Sequence, residues 1–166
     1  VAVDYQAENA DQLFVESLRE TGFGVLKNHP IQQAMVSSIY ANWQSFFDGE
    51  DKHSYLFDKE TQDGFFPTSV SETAKGFKKK DIKEYYHYYP WGKCPEALKE
   101  ELTNYYNAAI SLAKELLGWV EKYSPENVSA GYSQALSNMI KDSEQTLLRI
   151  LHYPPITGDE EPDAIR

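Results

Sequence analysis

The chain has 166 residues, 41% of them apolar and 25% charged, with a formal net charge of −10. That length suits one domain burying roughly 70% of its unfolded surface, and the negative balance argues against nucleic acid or an anionic membrane as partner, because both need a Lys/Arg surface. A single cysteine, Cys94, leaves no internal disulfide framework. With no basic leader and no apolar run of about 18 residues, the expectation is a soluble, cytoplasmic protein.

Val1-Ala2-Val3-Asp4 reads as a short strand. Asn9 with Gln12 three residues on has the form of a capping box, and Leu13, Phe14, Val15 and Leu18 give the following helix an apolar side. Gly22 can close it in the left-handed conformation. Phe23-Gly24-Val25-Leu26 is expected to be a buried strand ended by Asn28-His29-Pro30. A second helix is expected from Gln32 to Phe47, with Met35, Ile39, Trp43 and Phe46 as its core stripe. Asp48-Gly49-Glu50 breaks it, and a short helix or turn spans Lys52 to Phe57.

From Lys59 to Asp81 the chain is polar, with one short strand at Gly64-Phe65-Phe66. The only basic cluster, Lys75 to Lys83 centred on Lys78-Lys79-Lys80, reads as a solvated loop. Tyr85 to Tyr89 reads as a strand ended by Pro90. Pro95 opens the longest helix, whose period from Leu98 to Tyr123 holds for seven turns. Ser124-Pro125 then offers a cap and a first-turn proline for another helix carrying Val128, Tyr132, Leu136 and Ile140. Thr146 to Tyr153 is the last strand, and Gly158 to Asp163 an exposed acidic segment. Helices and short strands around one core make the fold class α+β.

Chemistry-bearing residues are sparse. The histidines His29, His53, His87 and His152 lack the spacing of a facial triad or a zinc protease. Glu84-x-x-His87 has the form of a di-iron ligand pair, but it sits in a strand-like run without a twin. Cys94 reads as an ordinary thiol, and Gly22-Phe23-Gly24 lacks a third glycine and opens a strand. Alternation is more informative. Leu147, Arg149, Leu151 and Tyr153 share one strand face, as do Tyr85, His87 and Tyr89 on theirs. An arginine in so apolar a strand needs an acceptor, either a local carboxylate such as Glu144 or an anionic substrate group.

Several segments resemble the N-terminal half of the isopenicillin N synthase-like branch of the 2-oxoglutarate/Fe(II)-dependent dioxygenases. Val1 to Asp4 is similar to that family's apolar strand ending in Asp. Gly22 to His29 is similar to its Gly-Phe-x-x-x-x-Asn-His motif. Phe46-Phe47-Asp48 with Lys52 resembles its Phe-Phe segment before a Lys. Asp81 to His87 is similar to Asp-Trp-x-Glu-x-Phe, and Leu148-Arg149 to Pro155 to the Leu-Arg-x-Asn-Tyr-Tyr-Pro strand.

The resemblance implies the helical, short-strand N-terminal region of a double-stranded β-helix (jelly-roll) oxygenase, most of the β-helix lying outside this chain. Residues 1–145 would form the N-terminal region, and 146–166 the first strand and an acidic loop toward the β-helix. Implied cofactors are Fe(II) and 2-oxoglutarate, with His-x-Asp, a distant His and Arg-x-Ser placed downstream of Arg166. The chain itself is therefore expected to carry no metal ligand or catalytic residue, to bind neither cofactor tightly, and to be inactive alone. Tyr153 matches a co-substrate contact, and Arg149, Tyr85 and His87 match positions that line the pocket for a small organic substrate. The Asn-His pair at Asn28-His29 matches a structural motif. Leu151 and His152 depart from the usual Asn and Tyr. The implied reaction oxidises an unactivated C–H bond while 2-oxoglutarate is converted to succinate and carbon dioxide. A stand-alone, non-catalytic α+β binding module is the alternative, and an enzyme of another class using Glu84 or Cys94 a third.

Overall fold

The computed structural model describes residues 2–70 and 81–158. Its elements run β1 (Val3–Asp4), α1 (Ala10–Thr21), β2 (Leu26–Lys27), α2 (Gln33–Asp48), a 3-10 turn (Glu50–Tyr55), β3 (Gly64–Phe66), a second 3-10 turn (Thr68–Val70), β4 (Glu84–Tyr88), α3 (Glu96–Tyr123), α4 (Glu126–Ser129), a third 3-10 turn (Leu136–Asn138) and β5 (Leu148–His152). They fall into two compact units, Val1–Val36 with Thr103–Ser143, and Ser37–Leu102 with Glu144–Arg166. Among the described residues no helix is long and apolar enough to cross a membrane. Lys75 and Lys78–Lys80, and the acidic residues 159–163, lie outside the described residues.

In the first unit β1 and β2 pair in parallel, Val3 opposite Leu26 and Asp4 opposite Lys27. Asn28, at φ 58°, donates its side-chain amide to Asp4 at 2.9 Å, which gives the Asn-His motif a structural task. Trp119 of α3 receives Tyr5 and Phe14 at ring-centroid distances of 5.6 and 5.8 Å. Lys122 pairs with Asp11 at 2.6 Å, tying α3 to the first turn of α1. Gly22 closes α1 at φ 76°, its N–H donating to Leu18, as expected of a left-handed cap.

Three expectations fail here for local reasons. Asn9 precedes α1 but makes no side-chain cap bond; the N–H of Gln12 donates to Asp11 instead. Phe23 and Val25 are exposed, at 74% and 55%. The strand is confined to Leu26–Lys27, and ahead of it the residue set against Phe14 is Gly24, where an added Cβ would lie 2.3 Å from the ring. After Pro125 the helical period is present but only the four residues of α4 are helical. Gly131 and its polar neighbours propagate a helix poorly, and the Glu121 carboxylate captures the Leu136 N–H at 2.9 Å to start a 3-10 turn instead. Ser124 caps nothing; its hydroxyl donates back to Val120.

The second unit is organised by an antiparallel sheet in the order β3-β4-β5. Gly64, Phe65 and Phe66 pair with His87, Tyr86 and Tyr85, and Glu84 to Tyr88 pair with His152 down to Leu148. Ile39, Trp43, Phe46 and Phe47 of α2 are buried, one stripe at three- and four-residue steps. Trp43 and Phe46 lie 4.9 and 5.5 Å from Tyr86, and Phe46 and Phe47 lie 6.3 and 6.2 Å from Phe65. Lys83, read from sequence as the end of a solvated cluster, is buried and bonded to Asp81 at 2.8 Å.

Two glycines separate backbone need from tolerance. Gly64 sits at φ +102° with the Tyr55 carbonyl 2.6 Å from where a Cβ would be, whereas Gly118 in α3 has nothing within 4 Å. Gly64→Ala is expected to destabilise by about 2 kcal/mol or more, combining strain and overlap. Gly118→Ala is expected to stabilise by about 0.5–1 kcal/mol. Urea midpoints of the two full-length variants check the opposite signs.

Candidate functional site

Because side chains alternate along each strand, the β3-β4-β5 register sorts them onto two faces. Phe65, Glu84, Tyr86, Tyr88, Ile150 and His152 share the face against α2. Phe66, Tyr85, His87, Arg149 and Leu151 share the other.

The α2 face carries a buried polar network. Lys52 donates to the Phe47 carbonyl and to both Glu84 carboxylate oxygens, at 3.3 and 3.2 Å. His152 places Nδ1 2.8 Å from Glu84 Oε1, so this nitrogen donates, and it stacks on Phe47 at 5.0 Å. Its Nε2 lies 3.3 Å from the Gln44 amide nitrogen, which also reaches Asp48. The lysine and glutamate side chains are 17% and 9% exposed, so each compensates a charge that could not stand there alone. Glu84→Gln leaves Lys52 short of its counter-charge and is expected to cost about 3 kcal/mol. The double variant Lys52→Met/Glu84→Leu is expected to recover most of that loss, as measured by denaturant unfolding of the full-length protein.

On the opposite face the rings form a column. Phe57 stacks on Phe66 at 4.3 Å and Phe66 on Tyr85 at 4.7 Å, with interplanar angles of 19° and 12°. The Arg149 guanidinium caps the column, its Cζ 4.9 Å from the Tyr85 centroid. Arg149 Nε donates to His87 Nε2 at 2.8 Å, and His87 Nδ1 lies 2.9 Å from the Gln62 carbonyl. Tyr85 and His87 are 3% and 7% exposed, while Leu151, beside them, is 47% exposed.

Gln62 is aimed by its loop. It sits at φ 61°, with its N–H on the Asp58 carbonyl and its side chain on the Lys59 carbonyl. Asp58 accepts the N–H groups of Glu60 and Thr61, and Asp63 accepts that of Lys93 at 2.6 Å. Burial pushes the Asp63 carboxyl up, but the Thr61 hydroxyl and the Lys93 amide outweigh it, so the group ends below its ordinary value. Its contribution to stability is present above the unfolded pKa and is lost as pH falls through the lower folded one.

Three of the four residues singled out from sequence thus converge. Tyr85, His87 and Arg149 touch one another, whereas Tyr153 stands one residue beyond β5 and is 43% exposed. The acceptor at Arg149 Nε is an imidazole, not Glu144, whose backbone carbonyl accepts from Trp91 at 2.8 Å. Gln62 was not singled out, and Lys52, Glu84 and His152 were named separately but not as one network. Alternation does put Glu84 and His152 on matching faces, but a left-handed glutamine leaves no trace in composition. Glu84 and His87 point to opposite faces, which removes the ligand-pair reading of Glu-x-x-His.

Cys94 is half-buried, and burial foremost raises its thiol to about 11, with Glu96 adding and Lys99 opposing. Near pH 8 its thiolate fraction is then lower by about 100-fold than for an ordinary exposed thiol, which disfavours a nucleophilic role. Iodoacetamide is expected to alkylate Cys94 about 100-fold more slowly in the native protein than in urea, read by mass spectrometry.

The family described as non-haem dioxygenase in morphine synthesis, N-terminal, matches residues 4–109. The chain belongs to that family. It is N-terminal sequence of the 2-oxoglutarate/Fe(II) dioxygenase superfamily. Mugineic-acid 3-dioxygenase of Hordeum vulgare is 30% identical over 115 residues, 64% of this chain and 34% of the relative. A crystal structure of a protein from Shewanella oneidensis assigned as an oxygenase is 57% identical, with a TM-score of 0.86 over 98% of this chain and 58% of that one. A protein from Caulobacter crescentus assigned to the 2OG-Fe(II) oxygenase family shares the fold at a TM-score of 0.71 and 24% identity, covering 96% of this chain and 57% of that one. The chain thus spans about a third of the curated relative's length. Among its described residues no three His, Cys, Asp or Glu side chains are grouped to hold a metal. Both nitrogens of His87 and of His152 face protein partners, so these residues do not fit an iron centre.

Proposed function

We propose that this dioxygenase-family chain is the substrate-facing N-terminal part of an Fe(II)/2-oxoglutarate-dependent oxygenase acting on a small organic molecule with an anionic group. The observation that carries the reading is the convergence of Arg149, His87 and Tyr85 on one sheet face. A guanidinium held over a ring offers charge and orientation to a carboxylate or similar anion, and Leu151 beside it supplies apolar contact. Positioning of substrate is work for the protein, whereas the hard oxidation belongs to the cofactor.

In this reading the metal ligands and the 2-oxoglutarate grip are carried by sequence outside these 166 residues, as the partial coverage of the relatives supports. Residues 1–145 form the N-terminal region and 146–166 lead into the β-helix, with Tyr153 turned toward the co-substrate. The full-length protein is the oxygenase, and this stretch alone is inactive.

The test uses the full-length protein with Fe(II) and 2-oxoglutarate, following succinate in the presence of a panel of small organic acids. Wild type is expected to form succinate faster when an accepted acid is present. Arg149→Leu is expected to raise the KM for that acid by about tenfold or more, as loss of a charge-assisted bond of about 1.5–3 kcal/mol implies, while uncoupled 2-oxoglutarate turnover persists. Absence of succinate from the full-length protein, or an unchanged KM in the variant, overturns the reading. So does a gene with no His-x-Asp downstream of Arg166.

A further inference from the structure

Arg149 Nε meets an acceptor unusual for an arginine, an imidazole nitrogen, and the geometry leaves that imidazole one protonation pattern. A carbonyl oxygen only accepts, so the 2.9 Å contact with Gln62 requires a proton on His87 Nδ1. An arginine Nε–H only donates, so the 2.8 Å contact from Arg149 requires a bare lone pair on His87 Nε2. The Gln62 carbonyl is aimed by a left-handed residue braced through Asp58 and Asp63, a strained arrangement of the sort that persists where its surroundings over-determine it.

We propose that His87 is a positioning residue, fixed by the Gln62 carbonyl in the neutral Nδ1–H tautomer, that holds Arg149 over Tyr85 and commits its Nε–H to the protein. This deepens, and rests on, the reading of the face as a substrate wall. Its consequence is that the side-on fork of Nε and Nη is closed to ligands while this bond holds. The same pairing removes His87 as a general base or metal ligand while Arg149 is seated, since the lone pair either role needs is already used.

The experiment is nitrogen NMR on full-length protein labelled with ¹⁵N at histidine and arginine, near pH 7.5 and without substrate. The expected result is a protonated Nδ1 and a pyridine-type Nε2 at His87, with an Arg149 Nε–H that exchanges slowly. His87→Leu is expected to speed that exchange by about tenfold or more, in line with losing a hydrogen bond to a charged donor, while backbone amides of β4 and β5 keep their protection. His87→Gln, whose side-chain oxygen can accept from Nε, is expected to restore slow exchange in part. An Nε2–H or doubly protonated His87 in wild type overturns the proposal, as does unchanged Nε–H exchange in His87→Leu. Should His87→Leu not fold, the wild-type tautomer and His87→Gln decide it. These readouts need no turnover, so failure of the substrate-wall reading, seen as an unchanged KM in Arg149→Leu, stands apart from failure of the tautomer lock.

Discussion

The pairing of His87 with Arg149 across β4 and β5 is the constraint on which the second unit depends. A strand side chain has a period of two, so a slip of one residue would send every group on β5 to the other face. Arg149 would then point at the Trp43 and Phe46 rings and lose His87 and Tyr85, and His152 would leave Glu84. The register is held from both sides at once. On one face the guanidinium finds an imidazole and a ring, and on the other an imidazole finds a carboxylate. Either slipped state loses both sets together, which makes the correct alignment the only one with its polar groups satisfied.

The two polar sets differ in kind. Lys52, Glu84 and His152 form a charged group in a nearly dry place, where mutual compensation offsets desolvation with little net gain. Their contribution is specificity: α2, the turn after it, β4 and β5 meet in one arrangement because the lysine, the carboxylate and the imidazole must meet. Arg149 and His87 meet through a neutral acceptor rather than a carboxylate. The face of Tyr85 and the lone pair of Nε2 both contribute to seating the cation.

How much of this was legible in the sequence follows from the range of each signal. The seven turns of α3 and three of the four stripe residues of α2, Ile39, Trp43 and Phe46 but not Met35, rest on local periodicity and appear as read. So does the left-handed Gly22. The same periodicity overstated the helix after Pro125, because Val128, Tyr132, Leu136 and Ile140 keep helical spacing around a Gly131 that does not favour a helix. Phe23 and Val25 misled for a different reason: hydrophobicity names a strand but not which face is inward, and only the Phe14 ring beneath Gly24 decides that. In the candidate site, alternation correctly grouped Tyr85 with His87 and Arg149 with Leu151. It could not say that the two groups face each other, since that is a matter of pairing across some 60 residues.

Gln62 shows where sequence reading stops and what the fold adds. From Lys59 up to the strand at Gly64 the sequence reads only as a polar connection, yet Asp58 and Asp63 are spent on backbone N–H groups. Those bonds hold a glutamine in a conformation that side chains rarely adopt, and the result is a carbonyl aimed at one ring nitrogen. A histidine is ambiguous between two tautomers until such a partner chooses. Once Nδ1 is chosen as donor, Nε2 must accept, and the nearest strong donor is an arginine on the next strand. The seating of Arg149 is thus linked to a backbone oxygen 87 positions earlier in the chain, that of Gln62. Substituting His87 by any side chain unable to accept at the Nε2 position would leave the arginine in place but no longer aimed.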